Sequence, residues 1–233
     1  FPTNTFPSWD PDMPNRCMSH NGEINTIKGN INWMRAREGS LSSDLYHDSI
    51  SNLLPIIVAI CSASGNFAYV LEFLSLTERY LIETILMMIP EAWAHRKDFS
   101  VKLKNLYAYA NAVMEPWDGP AAIDATDTEW AIVANDRNGL HPLRYTITKD
   151  KLLFAGSETG MIALDEKKII SKGRLGPGEI IGIRIKKGKV LKNIEIKNYL
   201  AKEFKHYNNR IVDVVKKIIS NKEKFVFTGS ELR

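Results

Sequence analysis

The chain has few of the features that mark membrane, secreted or disulfide-rich proteins. Cys17 and Cys61 are its only cysteines among 233 residues, which excludes a disulfide framework and makes a reducing compartment the default. The longest apolar run, residues 53–61, has nine residues and contains Pro55, whereas a membrane span needs roughly 20. Nothing after Phe1 resembles a signal peptide. We therefore expect a cytoplasmic protein without a membrane partner.

Sequence signatures of metal, nucleotide and serine-nucleophile sites are also missing. No two of the five histidines lie three or four residues apart, and there is no CxxC pair, so we expect no metal site. Neither GxxxxGK[ST] nor GxGxxG occurs, and residues 174–178 are predicted to form a turn between strands instead of a phosphate loop. The stretch 62–65 lacks the GxSxG elbow of serine hydrolases.

The distribution of charged residues along the chain does not favour a nucleic-acid partner. Lysines and arginines exceed acidic residues by four, and the surplus gathers after residue 185. A nucleic-acid-binding face is one interpretation of this surplus, and a solvated lysine-rich surface is the other. Acidic residues are interspersed among the lysines and no aromatic ladder accompanies them, so we expect the solvated surface.

The apolar pattern changes from helical to strand-like part-way along the chain. Helical spacing predicts helices at residues 25–38, 46–61, 66–76, 79–89, 99–114, 198–207 and 209–219. Short extended runs predict strands at residues 16–20, 121–125, 130–135, 145–148, 152–157, 169–172 and 179–185. Strands concentrated after a helical block predict an α+β fold with mostly antiparallel sheet.

The densest polar stretch is residues 19–25, where a short strand ends in Asn21-Gly22 and a helix follows. The Gly22 N–H and the Asn21 amide would form a two-donor pocket suited to a developing oxyanion. A plain turn capped by asparagine is the alternative. Cys17 and His20 are close in sequence, but residues three apart on a strand face opposite sides, so we expect Cys17 to be a buried structural thiol.

Seven blocks resemble the class II glutamine amidotransferase domain of glutamate synthase large subunits. They are FPTNTFPSW (1–9), SHNGEINT (19–26), GNINWM (29–34), MIPEAW (88–93), MEPWDGPA (114–121), DRNGL (136–140) and KGRLGPGE (172–179). The resemblance implies the N-terminal-nucleophile hydrolase fold, a four-layer sandwich of two antiparallel sheets between helical layers, incomplete here. It makes residues 1–200 the amidotransferase domain without its N-terminal part, and residues 201–233 a helical linker toward the next domain.

In this family a cysteine at the mature N-terminus attacks the glutamine carboxamide, and ammonia leaves. By resemblance, Asn21 and Gly22 match the oxyanion hole, and Thr3 and Asn4 fall where a strand lines the glutamine pocket. The family's cysteine and an arginine that grips the substrate carboxylate would precede Phe1. We therefore expect a fragment that by itself does not hydrolyse glutamine.

One departure from the family concerns substrate binding. Ala63 stands where the family has an aspartate that pairs with the α-ammonium of glutamine. This change weakens the expected pocket, because an unpaired ammonium in a closed site is costly. The alternative is that another carboxylate, Asp44 or Asp48, takes that role.

The resemblance implies that the longer chain, hereafter the parent chain, supplies ammonia for glutamate synthesis from glutamine and 2-oxoglutarate. It implies L-glutamine as substrate, and as partners a downstream flavin domain and a small reductase subunit or ferredoxin. FMN and an iron–sulfur cluster would lie in the parent chain and none in this segment. In a plastid-bearing organism the location would be the organelle stroma. The alternative function is a catalytically dead amidotransferase-like module with a structural or regulatory role.

Overall fold

A computed structural model describes residues 16–58, 61–77 and 79–203. The helices are α1 (Ile27–Glu38), α2 (Ala63–Leu76), α3 (Leu81–Met88), α4 (Val101–Val113) and α5 (Asn193–Glu203). The strands are β1 (Met18–Gly22), β2 (Ala121–Thr126), β3 (Trp130–Asn135), β4 (Arg144–Thr148), β5 (Leu153–Gly156), β6 (Ile169–Arg174), β7 (Ile180–Arg184) and β8 (Lys189–Leu191). No helix in these described ranges is long and apolar enough to cross a bilayer.

The strands form two sheets in which every pair of neighbours is antiparallel. One sheet has the order β1-β2-β3-β7-β8, and the other has the order β5-β4-β6. Strand β1 is therefore an edge strand of the described part of its sheet. The α+β class with antiparallel sheets, expected from the sequence, is confirmed.

The two sheets and the helices are stacked in layers. One face of the five-stranded sheet packs against the helices in the main apolar cluster, to which Ile123 and Ile132 of the sheet and Leu71 of α2 belong. Its opposite face meets the three-stranded sheet around Ile181, where Leu143 is also buried. Within the described ranges, these are three of the four layers that the family resemblance implies.

Proline overrides the helical pattern between residues 46 and 61. A 3₁₀ helix covers His47–Leu53, and the chain is then extended, so the prediction of one long helix here is wrong. Pro55 has no N–H for a helical bond and disfavours the helical conformation at Leu54, whose ψ is 149°.

Several other element ends differ from the sequence-based prediction. Strand β1 lies two residues later than expected, and α2 begins earlier because the Ser62 hydroxyl accepts a hydrogen bond from the Gly65 N–H at 3.0 Å. Strand β8 was not predicted, and α5 begins at Asn193 instead of residue 198. The helix expected at residues 209–219 and the linker beyond residue 203 lie outside the described residues.

A buried carboxylate, that of Asp136, organises the loop after β3. It accepts hydrogen bonds from the backbone N–H groups of Ala121, Asn138, Leu140 and His141, with N···O distances of 2.8–3.3 Å. Asp136 and Ala121 are each only 1% exposed, so the Ala121 N–H would find no ready replacement in water. The carboxylate thus fixes the start of β2 against the loop.

A second buried group supports this loop from the side of α5. The ammonium of Lys197, which is fully buried, contacts the Glu91 carboxylate and donates to the Gly178 carbonyl at 3.2 Å. Burial lowers the pKa of Lys197 and Glu91 opposes that effect, while the Tyr107 hydroxyl donates to the same carboxylate at 2.9 Å. Gly178 N–H in turn donates to the backbone carbonyl of Asp136 at 2.8 Å.

Replacing Asp136 with asparagine should destabilise the protein. Asp136→Asn substitutes an amide NH₂ for one carboxylate oxygen and leaves buried N–H donors without an acceptor, which should lower the free energy of unfolding by about 2–4 kcal/mol. Urea unfolding measures the change. Asp150→Asn is the matched control, because that side chain is 61% exposed and should change stability by less than about 0.5 kcal/mol. Equal effects of the two substitutions would contradict the role given to Asp136.

Candidate active site

The end of β1 presents a backbone donor that no other strand among the described residues uses. Glu23 N–H donates to the Pro120 carbonyl at 2.8 Å, so it points toward β2. Along an antiparallel edge strand, successive residues direct their N–H groups alternately toward the neighbouring strand and away from it. Gly22 N–H therefore points away from β2, toward the outer edge of the described sheet. Such a donor is available to a bound group.

The conformation of Gly22 requires glycine. Its φ is +135°, and a Cβ added there would lie 2.0 Å from the Pro120 carbonyl oxygen. Gly119 faces it with a φ of +154°, and a Cβ at Gly119 would lie 1.9 Å from the Glu23 carbonyl oxygen. The two backbones thus cross with no room for a side chain on either, which fixes the direction of the Gly22 N–H.

The loop that contains Gly119 also holds the start of α1. Asn25 N–H donates to the Asp118 carbonyl at 2.7 Å, and the Asp118 N–H donates to the Thr26 hydroxyl at 3.0 Å. The Asn30 side-chain amide donates to the Pro116 carbonyl at 3.1 Å. The 116–119 segment therefore positions the chain on both sides of Gly22.

Asn21 lies at the same corner of the sheet as the Gly22 N–H. It pairs with Ala122, which packs in the cluster between the two sheets, so the Asn21 side chain is on the inter-sheet face. A cleft of about 760 Å³ opens on that face and is lined by Asn21, Asp124 and His141, among others. A cleft of this size is typical of small-molecule sites.

Ala63, the predicted substrate-binding position, is placed near this corner through its neighbours. It is the first residue of α2 and is partly buried against the main core. The next residue, Ser64, has its hydroxyl 2.8 Å from Nδ1 of His20, the residue before Asn21. The structure therefore places the start of α2, with Ala63, beside the strand that ends in Asn21 and Gly22, although Ala63 is 41 or more residues from either of them in sequence.

The carboxylates considered as substitutes for the family's aspartate lie elsewhere. Asp44 and Asp48 are exposed, and the hydroxyl of Tyr46 between them contacts the Leu76 carbonyl at 3.5 Å. Leu76 is the last residue of α2, about 20 Å along the helix from Ala63. This placement does not support the alternative in which Asp44 or Asp48 replaces the missing aspartate.

The two cysteines are placed as structural residues. Both are half-buried, and burial, followed by the charge of Glu72, raises the pKa of Cys17 and so disfavours its thiolate. His20 directs Nδ1 to Ser64, so Cys17 and His20 form no catalytic pair. Thr3 and Asn4 lie outside the described residues, and their role at the substrate pocket stays a prediction.

The sequence-based reasoning missed His20 and Ser64 as partners. In the sequence, Ser64 is only part of the stretch 62–65 that lacks the serine-hydrolase elbow, and His20 is only the histidine three residues after Cys17. No spacing rule joins a strand residue to a helix residue 44 positions away, so only the fold shows the contact.

The family model for class-II glutamine amidotransferases matches residues 1–209. The chain belongs to the class II glutamine amidotransferase family. The amidotransferase domain is 44% identical over 201 residues to the NADPH glutamate synthase large chain of Azospirillum brasilense, covering 86% of this chain and 13% of that relative. It is 42% identical over 199 residues to the ferredoxin-dependent glutamate synthase of Pyropia yezoensis, covering 84% and 13%.

The amidotransferase domain thus spans about an eighth of the length of these relatives. Among solved structures, it is similar to an allosteric regulatory enzyme of purine biosynthesis, with a TM-score of 0.39 and 17% identity over 75% of this chain and 27% of that one. Similarity to glutamate synthases over most of the chain identifies the kind of domain, and the alternative of a dead module is not favoured.

Gly22→Ala should destabilise the protein through the backbone crossing. The added methyl group meets the Pro120 carbonyl at a φ that alanine rarely adopts, so we expect a loss of at least about 2 kcal/mol in the free energy of unfolding. Gly29→Ala is the matched control, because its Cβ has nothing within 4 Å and lies in α1, where alanine should add about 0.5–1 kcal/mol. Thermal unfolding of both variants gives the comparison, and a neutral Gly22→Ala would contradict the crossing.

Proposed function

We propose that this amidotransferase domain hydrolyses glutamine within a glutamate synthase parent chain and releases ammonia for glutamate synthesis. The observation that supports this most is the corner formed by Asn21 and the outward Gly22 N–H, beside a cleft of substrate size. Family membership supplies the reaction class, and this corner supplies the group that the reaction needs most, a pair of preorganised donors.

The donors would act on the oxygen of the glutamine carboxamide. When a thiolate attacks the amide carbon, the carbonyl π electrons move to oxygen, which becomes negatively charged. Gly22 N–H and the Asn21 amide would both donate to this oxygen. When the C–N bond breaks, the nitrogen takes the proton that a base removed from the thiol and leaves as ammonia, and the oxygen becomes the carbonyl of a thioester. Water then cleaves the thioester, which releases glutamate and restores the thiol. Because the crossing at Gly119 already fixes the Gly22 N–H, no reorganisation is needed when the charge develops.

The thiolate is assigned to no residue of this chain. The family resemblance implies a cysteine at the mature N-terminus, and the half-buried Cys17 and Cys61 take structural roles here. This domain's own residues would therefore bind the substrate and stabilise its oxyanion. The expectation that the chain hydrolyses no glutamine by itself stays a prediction.

The start of α2 would face the substrate's α-ammonium. A helix N-terminus carries partial positive charge, and Ala63 offers no negative charge to offset it. We propose that Ala63, together with Thr3 and Asn4, borders the glutamine pocket and that the ammonium lacks its usual partner at residue 63. This makes weak glutamine binding a property of the domain.

The remaining components belong to the parent chain. No cluster of His, Cys, Asp and Glu in the described ranges could hold a metal ion. From the family resemblance, and not from this observation, we propose that the domain binds no cofactor of its own. We propose that FMN and an iron–sulfur cluster lie in the rest of the parent chain, where a flavin domain would receive the ammonia. The reductant would come from a small reductase subunit or from ferredoxin, and the compartment would be the cytoplasm or the stroma.

Asn21→Ala in the parent chain should separate the two half-reactions. Loss of one oxyanion donor should lower kcat for glutamine hydrolysis by about 10²–10³-fold. Glutamate synthesis from supplied ammonia should stay unchanged, because it needs no oxyanion hole. Asn32→Ala, an exposed asparagine on α1, is the control and should leave both rates unchanged. An equal loss of both rates, or of neither, would count against the assignment.

Ala63→Asp in the same parent chain should improve glutamine binding. A carboxylate at the start of α2 would pair with the substrate ammonium, and the positive end of the helix dipole would stabilise that carboxylate. We therefore expect KM for glutamine to fall by about 10–100-fold. Ala36→Asp, at an exposed position of α1, controls for added charge. An unchanged KM in Ala63→Asp, measured by steady-state glutaminase kinetics, would show that residue 63 does not face the ammonium.

A further inference from the structure

A single side-chain hydrogen bond connects the two halves of the candidate site. The Ser64 hydroxyl lies 2.8 Å from Nδ1 of His20. Ser64 follows Ala63 in the first turn of α2, and His20 precedes Asn21 on β1. The bond therefore joins the element proposed to hold the substrate to the element proposed to hold the oxyanion donors.

The His20 side chain bonds to Ser64 on the helical face of β1, and His20 also contributes to the lining of the cleft. It pairs with Ile123, which belongs to the main core between sheet and helices, whereas Asn21 pairs with Ala122 on the inter-sheet face. His20 therefore joins the start of α2 to the face of β1 opposite to the Asn21 side chain. We assign it a positioning role because the hydrogen bond shown for its side chain goes to Ser64 and not to a donor of the oxyanion site.

The surroundings of His20 favour one neutral form of its ring. Burial, followed by the nearby His141, lowers its pKa, and Nε2 is buried without a hydrogen-bond partner in the described ranges. A buried N–H without an acceptor is rarer than a buried acceptor without a donor. We therefore assign the proton to Nδ1, which donates to the Ser64 hydroxyl.

We propose that His20 and Ser64 are a pair of positioning residues that set the distance between the substrate-holding start of α2 and the oxyanion donors on β1. The inference rests on the proposed function and deepens it. Glutamine bound against α2 presents its carboxamide to β1, so a shift between these elements misplaces the reacting carbon while leaving ground-state contacts to α2 intact. Misplacement by about 1 Å costs on the order of 100-fold in rate.

The test is steady-state glutamine hydrolysis by the parent chain. In Ser64→Ala and His20→Ala we expect kcat to fall about 10–100-fold while KM changes less than about threefold. The double variant should be no worse than either single variant, because one bond is lost in each case. His20→Asn should retain most of the rate, since its amide nitrogen can replace Nδ1 as donor to Ser64.

Ser40→Ala is the control. The exposed Ser40 hydroxyl donates to the Arg37 carbonyl at 2.9 Å at the end of α1, and neither residue belongs to β1 or α2. The kcat of Ser40→Ala should stay within about twofold of the wild type. Nitrogen NMR of His20 should show a protonated Nδ1 in the wild type and an altered signal in Ser64→Ala.

Three outcomes separate the two proposals. If the wild-type parent chain hydrolyses glutamine but Ser64→Ala and His20→Ala leave kcat unchanged, the positioning pair is wrong and the proposed function stands. If the losses appear but Ser40→Ala matches them, or His20→Asn recovers nothing, the effect is general disruption and the pair is again wrong. If the wild type hydrolyses no glutamine, the proposed function fails and the positioning role falls with it.

Discussion

Two backbones cross at Gly22 and Gly119 at a distance that admits no side chain on either residue. Because the contact is made by main-chain atoms, it holds the end of β1 in one direction whatever side chains surround it. The hydrogen bond from Glu23 to Pro120 holds the two backbones together next to β1. The hydrogen bonds of Asp118 with Asn25 and Thr26 hold them together next to α1. The orientation of the Gly22 N–H, on which the proposed oxyanion site depends, follows from this geometry.

Buried charges hold the loops behind this crossing. Asp136 fixes the start of β2 through the Ala121 N–H, and Lys197 with Glu91 supports the backbone of the Asp136 loop through Gly178. Removing one partner of a buried ion pair typically costs about 3–5 kcal/mol, so this region tolerates little change. Through Ala121, which pairs with Gly22, these buried charges are connected to the corner where charge would develop in the reaction.

Local patterns in the sequence predicted the parts of the fold that depend on local forces. Helical spacing located α4, and the polar stretch 19–25 located the end of β1, because strand ends and turns are governed by neighbouring residues. The oxyanion role of Asn21 and Gly22 stays a prediction. Apolar spacing alone was misleading around Pro55, because it predicted a helix over residues 46–61 that proline prevents. The His20–Ser64 and Lys197–Glu91 contacts join residues 44 and 106 positions apart, and only packing of the whole chain brings such pairs together.

The most direct test is a crystal structure of the parent chain after reaction with a glutamine analogue that carries an electrophilic carbonyl at the reacting carbon. The oxyanion of the adduct should lie about 2.7–3.1 Å from the Gly22 backbone nitrogen and from the Asn21 side-chain nitrogen. The substrate's ammonium should lie near Ala63, at the start of α2. An adduct whose oxygen is held by other donors would contradict the assignment of this corner as the oxyanion site.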